Sequence, residues 1–215
     1  MKLLYQTHSP YARKVLVAAF ELGLQDDIEV VHHETSPTQR NHDVFAQNPL
    51  GKVPVLIRED GPALFDSDVI CAYLDTRHAG PRLIPPDGEA RWRALQAQAV
   101  AQVICEAGIQ VRWETVRRPE ALRFPALAEG YTVKLTEAYD WLERSLDFKA
   151  PLHIGHIAVA TALSWIEFRQ LPGFRSRCPQ LADWLSVFET RRSMQATPLS
   201  GETVDGGVPS PPNVA

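Results

Sequence analysis

Two stretches decide the reading of this chain: Gly51-Lys52-Val53-Pro54-Val55-Leu56, and soon after it Phe65-Asp66-Ser67-Asp68-Val69-Ile70. Proline has no amide proton to give a ladder, so Pro54 at the head of a Val-Leu-Ile run marks the start or edge of a strand. Val53-Pro54 is a candidate cis bond. In that form the Val53 amide and carbonyl turn outward, free to pair with another extended backbone. Asp66-Ser67-Asp68 then opens an apolar-periodic segment through Val69, Ile70, Tyr73 and Leu74. This predicts a capped helix whose first-turn amides attract a carboxylate. Either stretch alone is an ordinary turn or helix start; their order and spacing outline a site for a small anionic peptide held by its backbone.

An apolar strand, Met1 to Tyr5, comes first and leads into Thr7-His8-Ser9-Pro10-Tyr11-Ala12-Arg13-Lys14-Val15. Ser9 suits the N-cap and Pro10 the first helical residue. With these residues in view the chain resembles the cytosolic glutathione transferase family, particularly bacterial members with Ser-Pro-Tyr-Ala-Arg-Lys-Val near the start. The matching pieces are Ser9 to Val15, Asn48 to Leu56, Asp66 to Leu74, Ile157 to Arg169 and Pro179 to Met194.

Composition is compatible with this. A chain of 215 residues with 45% hydrophobic content can bury one large core or two small ones. A net charge of −4 without a basic stripe argues against nucleic-acid binding. The polar residues directly after the first strand do not read as a signal peptide, and no apolar run suits a membrane span, so a cytoplasmic location is expected. Cys71, Cys105 and Cys178 lie far apart and form neither a zinc motif nor a dithiol pair; small buried residues are expected, and no metal.

Periodicity predicts strand 2–5, helix 10–23, strand 28–31, helix 38–47, strands 54–58 and 62–65, and helix 67–78. This βαβ then ββα order suits a mixed sheet with one right-handed crossover. Gly23 is placed to stop the first helix as a left-handed C-cap. Residues 79–88 read as a stiff Pro/Gly linker, and helices follow over about 89–118, 124–146, 152–169 and 180–191. The fold class expected is an α/β thioredoxin-like domain (1–78) followed by an all-α helical domain (89–198), with an extended or disordered tail (199–215).

The resemblance assigns chemistry to residues. A thiol with a pKa of about 8.5 is mostly protonated at neutral pH, and lowering that by ~2 units needs roughly 2.7 kcal/mol in favour of the thiolate. One hydrogen bond to a charged group supplies roughly 1.5–3 kcal/mol. A helix N-terminus adds about 0.3–1 kcal/mol. Ser9, a hydroxyl at a helix start, is therefore the expected catalytic residue, with Tyr5 as the competing hydroxyl and His8 and Tyr11 at the mouth. The resemblance places Lys52 on the glycyl carboxylate of glutathione, the Val53 backbone against the cysteinyl unit, and Asp66 and Ser67 on the γ-glutamyl ammonium and carboxylate. Asn48 and Pro49 shape the turn.

A small hydrophobic electrophile is expected between the domains, against Tyr11 and a stripe of the first long helix of the second domain, Ile104, Cys105, Gly108, Ile109, Arg112 and Trp113, although such a stripe equally suits a core or dimer contact. The resemblance also implies a homodimer. Glutathione-dependent isomerase, dehalogenase or peroxidase activity remains open, as does a glutathione-binding or interaction module without turnover. Serine before Pro10 disfavours mixed-disulfide reductase chemistry. One segment departs from the family pattern: His153 and His156 stand where a Ser/Thr and Asp capping box is usual, which predicts a weaker cap in mild acid.

Overall fold

The computed structural model describes residues 1–205. A four-stranded sheet forms the first half, in the order β2-β1-β3-β4. Strand β1 (Lys2–Tyr5) pairs in parallel with β2 (Glu29–His32) and antiparallel with β3 (Val55–Arg58), which in turn pairs antiparallel with β4 (Gly61–Leu64). Helix α1 (Pro10–Glu21) makes the crossover, α2 (His42–Gln47) follows β2, and α3 (Ser67–Leu74) follows β4. The second half is helical: α4 (Gly88–Arg112), α5 (Pro125–Ser145), α6 (Ile154–Phe168), α7 (Pro179–Phe188) and α8 (Arg192–Gln195). The observed architecture is thus the expected thioredoxin-like α/β half followed by a helical half.

Register decides where the loops go. Leu4 pairs with Val55 and Leu56 pairs with Leu64. The exit of β1, the approach to β3 and the exit of β4 therefore share one end of the sheet, which gathers Ser9, Val53 and Asp66 there. Behind them α1 buries Ala12, Val15, Ala18 and Ala19. It ends as its sequence requires: Gly23 takes a φ of +71°, and the Leu24 amide returns to the Ala19 carbonyl at 2.8 Å.

The halves are joined by buried polar groups as well as apolar packing. Arg13 on α1 donates to Ser164 Oγ on α6 at 2.7 Å and to the Met194 carbonyl on α8 at 3.2 Å. The linker is fixed by Asp75, whose buried carboxylate accepts the Leu83 and Ile84 amides at 2.6 and 3.1 Å. Helices α4 and α6 approach closely at Gly155, where a Cβ would stand 2.6 Å from the Ala94 carbonyl oxygen.

Several boundaries differ from expectation for local reasons. Helix α2 begins at His42 because Ser36 and Gln39 bridge a turn and Asn41 caps the helix, accepting the Asp43 and Val44 amides. The long helix α4 stops at Arg112, and Trp113–Arg117 form a wider π turn. Residues 199–205 form neither helix nor strand, turn at Gly201 with a φ of +79°, and are pinned. Thr7 Oγ1 donates to the Ser200 carbonyl at 2.8 Å, and the Ser200 amide donates to the Thr7 carbonyl at 3.2 Å. The rest of the expected tail, 206–215, lies outside the described residues.

Candidate functional site

Ser9 caps α1 in an extended conformation, with φ −85° and ψ 119°. Its Oγ accepts the Ala12 amide at 3.2 Å, and its hydroxyl proton has no acceptor among the described residues. The residue is nearly buried, so a donor at this point acts where water screens little. Two contacts hold the loop before it. The Ser9 amide donates to the Gln6 carbonyl at 3.1 Å, and the Trp165 indole donates to the His8 carbonyl at 3.1 Å. Burial drives the His8 pKa down to about 4, against the raising effect of nearby Glu34. His8 is therefore neutral at physiological pH and adds no positive charge beside Ser9.

The Val53–Pro54 peptide bond is cis, as is Phe65–Asp66. Among the described residues, neither the amide nor the carbonyl of Val53 enters a hydrogen bond, while its side chain packs with Leu4, Val44 and Val55. The preceding turn is well fixed: Asn48 Nδ2 donates to the Lys52 carbonyl at 2.8 Å, and Thr35 Oγ1 donates to the Gly51 carbonyl at 3.0 Å. The Lys52 side chain is exposed. Asp66 caps α3, its Oδ1 accepting the Asp68 and Val69 amides at 3.0 and 3.5 Å, which leaves Oδ2 for another donor. Ser67 is buried in the first turn beside it. Helices α1 and α3 are tied by the ion pair of Lys14 and Asp68.

The residues expected to line an electrophile divide into two groups. Tyr11 and Cys105 line one small void together with Pro10, Lys14 and Gln102. Burial pushes the Tyr11 phenol above its ordinary range and the Cys105 thiol up to about 12, so neither is a nucleophile at neutral pH. Ile109 lies further along α4, half-buried against the core. Trp113 sits beyond it in the π turn, its ring 3.9 Å from the Arg117 guanidinium carbon. Tyr5, the competing hydroxyl, ends β1 edge-on to His32 with ring centroids 5.7 Å apart. Among the described residues no cluster of three or more His, Cys, Asp or Glu side chains converges as a metal site would.

Sequence reasoning passed over Arg13, which joins the halves behind Ser9, and Arg117 and Arg169, which with Arg112 of the expected electrophile stripe converge on residues 201–205. Their partners lie about 90 residues away or more for Arg112 and Arg13, and no local periodicity signals such pairings.

At His153 and His156 the structure shows half a capping box. His153 Nδ1 accepts the His156 amide at 3.3 Å, and His156 Nε2 reaches the Asp147 carbonyl at 3.0 Å, so Nε2 carries the proton. The two rings stack with centroids 3.7 Å apart. Burial, then the neighbouring His156, lowers the His153 pKa to about 4; burial also lowers that of His156.

The family described as "Glutathione S-transferase, N-terminal domain" matches residues 8–77. The GST-like protein YibF of Escherichia coli is 30% identical over 203 residues, covering 92% of this chain and 98% of YibF. A glutathione transferase family member from Pseudomonas fluorescens Pf-5, solved with bound glutathione, superposes with a TM-score of 0.88 at 35% identity, covering 93% of this chain and 99% of its own. The structure from that organism with bound S-(propanoic acid)-glutathione gives a TM-score of 0.84 at 35% identity, covering 94% and 100%. Near-complete coverage in both directions, added to the matching domain, shows that this chain belongs to the glutathione S-transferase family.

Proposed function

We propose that the protein is a serine-type glutathione transferase that binds glutathione along the Val53 backbone and activates its thiol through the Ser9 hydroxyl. The observation that carries this reading is the state of Ser9. Its oxygen accepts the Ala12 amide, so its own proton is free to point outward at the start of α1, where the helix dipole adds a positive field. A thiolate is the partner such a donor favours. The rest of the tripeptide finds its complement at the same end of the sheet: the unpaired Val53 amide and carbonyl, Asp66 Oδ2 for the ammonium, the first turn of α3 at Ser67 for a carboxylate, and the exposed Lys52 for the glycyl end. Glutathione in the Pseudomonas relative supports this assignment.

The thiolate then attacks a small electrophile, which the resemblance makes hydrophobic and places by Tyr11, Cys105, Ile109 and Trp113. A relative that holds a glutathione bearing a propanoic acid group on sulfur suggests that the second substrate also carries polar groups. Exposed Val69, Trp92 and Val103 on α3 and α4 offer apolar surface for a homodimer, which sedimentation would detect. No helix among the described residues is long and apolar enough to cross a membrane.

Calorimetric titration with glutathione tests the reading. Wild type should bind, and Lys52→Ala and Asp66→Asn should each weaken binding about tenfold, the loss of one charged hydrogen bond. Absence of binding to wild type would overturn it.

A further inference from the structure

Three arginines converge on residues 201–205, the segment that follows the Thr7–Ser200 hydrogen bonds. Arg112 ends α4, Arg117 closes the π turn and Arg169 follows α6. Their side chains are 11%, 9% and 2% exposed, respectively. Arg169 Nη1 donates to Glu202 Oε2 at 2.6 Å and to the Gly201 carbonyl at 3.3 Å. Arg112 reaches the same Glu202 oxygen at 3.4 Å and Thr203 Oγ1 at 3.5 Å. Arg117 binds Asp205 through Nε at 2.9 Å and through Nη2.

These partners compensate the cluster poorly. Glu202 is 79% exposed and gives only one carboxylate oxygen to two desolvated guanidiniums. Arg169 Nε and Nη2 are buried without a hydrogen-bond partner among the described residues. Among the described residues three cations face two carboxylates, and burial has already lowered the Arg112 pKa to about 10, with Arg169 the next cause. A buried guanidinium with unpaired donors is costly unless a planar anion meets its fork. The location is also telling. Gly201, which accepts from Arg169, lies where a Cβ would be 3.3 Å from Thr7 Oγ1, two residues from Ser9. Arg112 and Arg169 are both close enough to bear on the neighbouring His8.

We propose that Arg112, Arg117 and Arg169 form a carboxylate-binding subsite beside Ser9, and that the second substrate is a small electrophile carrying a carboxylate, whose place the Glu202 tip takes. This rests on the glutathione reading above and narrows the hydrophobic electrophile to an anionic one. Residues 200–205 act as a strap whose backbone is pinned at Ser200 and Gly201 while the Glu202 side chain stays exposed, so a ligand carboxylate exchanges with the Glu202 tip instead of having to displace the whole strap. The Trp113 ring lies 3.9 Å from the Arg117 guanidinium carbon and supports that side chain where it meets Asp205.

The test is paired calorimetry with S-(2-carboxyethyl)glutathione and S-propylglutathione, which differ chiefly in the carboxylate. Wild type should bind the carboxylate conjugate about tenfold tighter, the value of one charged hydrogen bond. Arg169→Gln should erase that preference while S-propylglutathione binding persists. Glu202→Gln keeps the shape of the exposed side chain while removing its charge, and should strengthen carboxylate binding about threefold or more by removing the competitor. Equal binding of the two conjugates by wild type, a preference retained in Arg169→Gln, or no gain in Glu202→Gln overturns the subsite and leaves the glutathione reading standing. Failure of both conjugates to bind overturns both.

Discussion

The indole N–H of Trp165, buried in the helical half, donates at 3.1 Å to the carbonyl of His8, the residue just before Ser9. The helical half therefore sets the position of the Ser9 loop directly. Trp165→Phe keeps most of the ring volume and removes the bond, leaving a carbonyl without its donor. It should lower stability by about 1–2 kcal/mol. Because the loop also loosens, glutathione affinity should fall with it. Urea denaturation and a glutathione titration would check both; unchanged affinity would show that the loop holds itself.

Gly51 has a φ of +63°, and an added Cβ would lie 2.2 Å from the Phe45 ring. Gly51→Ala is strained twice, by backbone and by contact. It should destabilise the protein by about 2 kcal/mol and displace Lys52 and Val53, so thermal melting and glutathione binding should both suffer.

The histidine cap gives a pH prediction. His153 has a folded pKa of about 4 against an ordinary 6.5, and His156 is lowered as well, with the Asp147 carboxylate and Arg191 as nearby charges. A depressed histidine pKa means that the unfolded chain binds more protons, so the stabilisation is complete above about pH 6.5 and is lost as pH falls toward 4. His8 shares this window. His153→Thr/His156→Asp removes only the cap's share and restores a Thr-x-x-Asp box. Its melting temperature should exceed wild type at pH 5.5, by the equivalent of about 1 kcal/mol after allowing for half-exposure of His153. The advantage should shrink at pH 7.5. No gain at pH 5.5 would sink the idea.

Much of this was legible in sequence because it is local. Gly23 stops α1, Ser9 and Asp66 cap helices, and Pro54 heads a strand, each through chemistry within a few residues. Arg13 was not legible: its partners on α6 and α8 are chosen by the docking of two halves. The end of α4 at Arg112 was missed because Trp113–Arg117 continue to wind, only more widely. The tail's lack of regular structure is legible in its Pro and Gly content, but its anchoring is not, for the same physical reason as Arg13: the anchors come from three separated elements.

The central claim is that Ser9 donates to the sulfur of glutathione, and the most direct measurement is ultraviolet difference absorbance of the bound thiolate across pH, wild type beside Ser9→Ala. Wild type should show the thiolate band at neutral pH, with the bound thiol titrating ~2 units below free thiol. Ser9→Ala should still bind glutathione but titrate close to the free value. A thiolate band unchanged by the substitution would contradict the account and move the role to another donor, Tyr5 first.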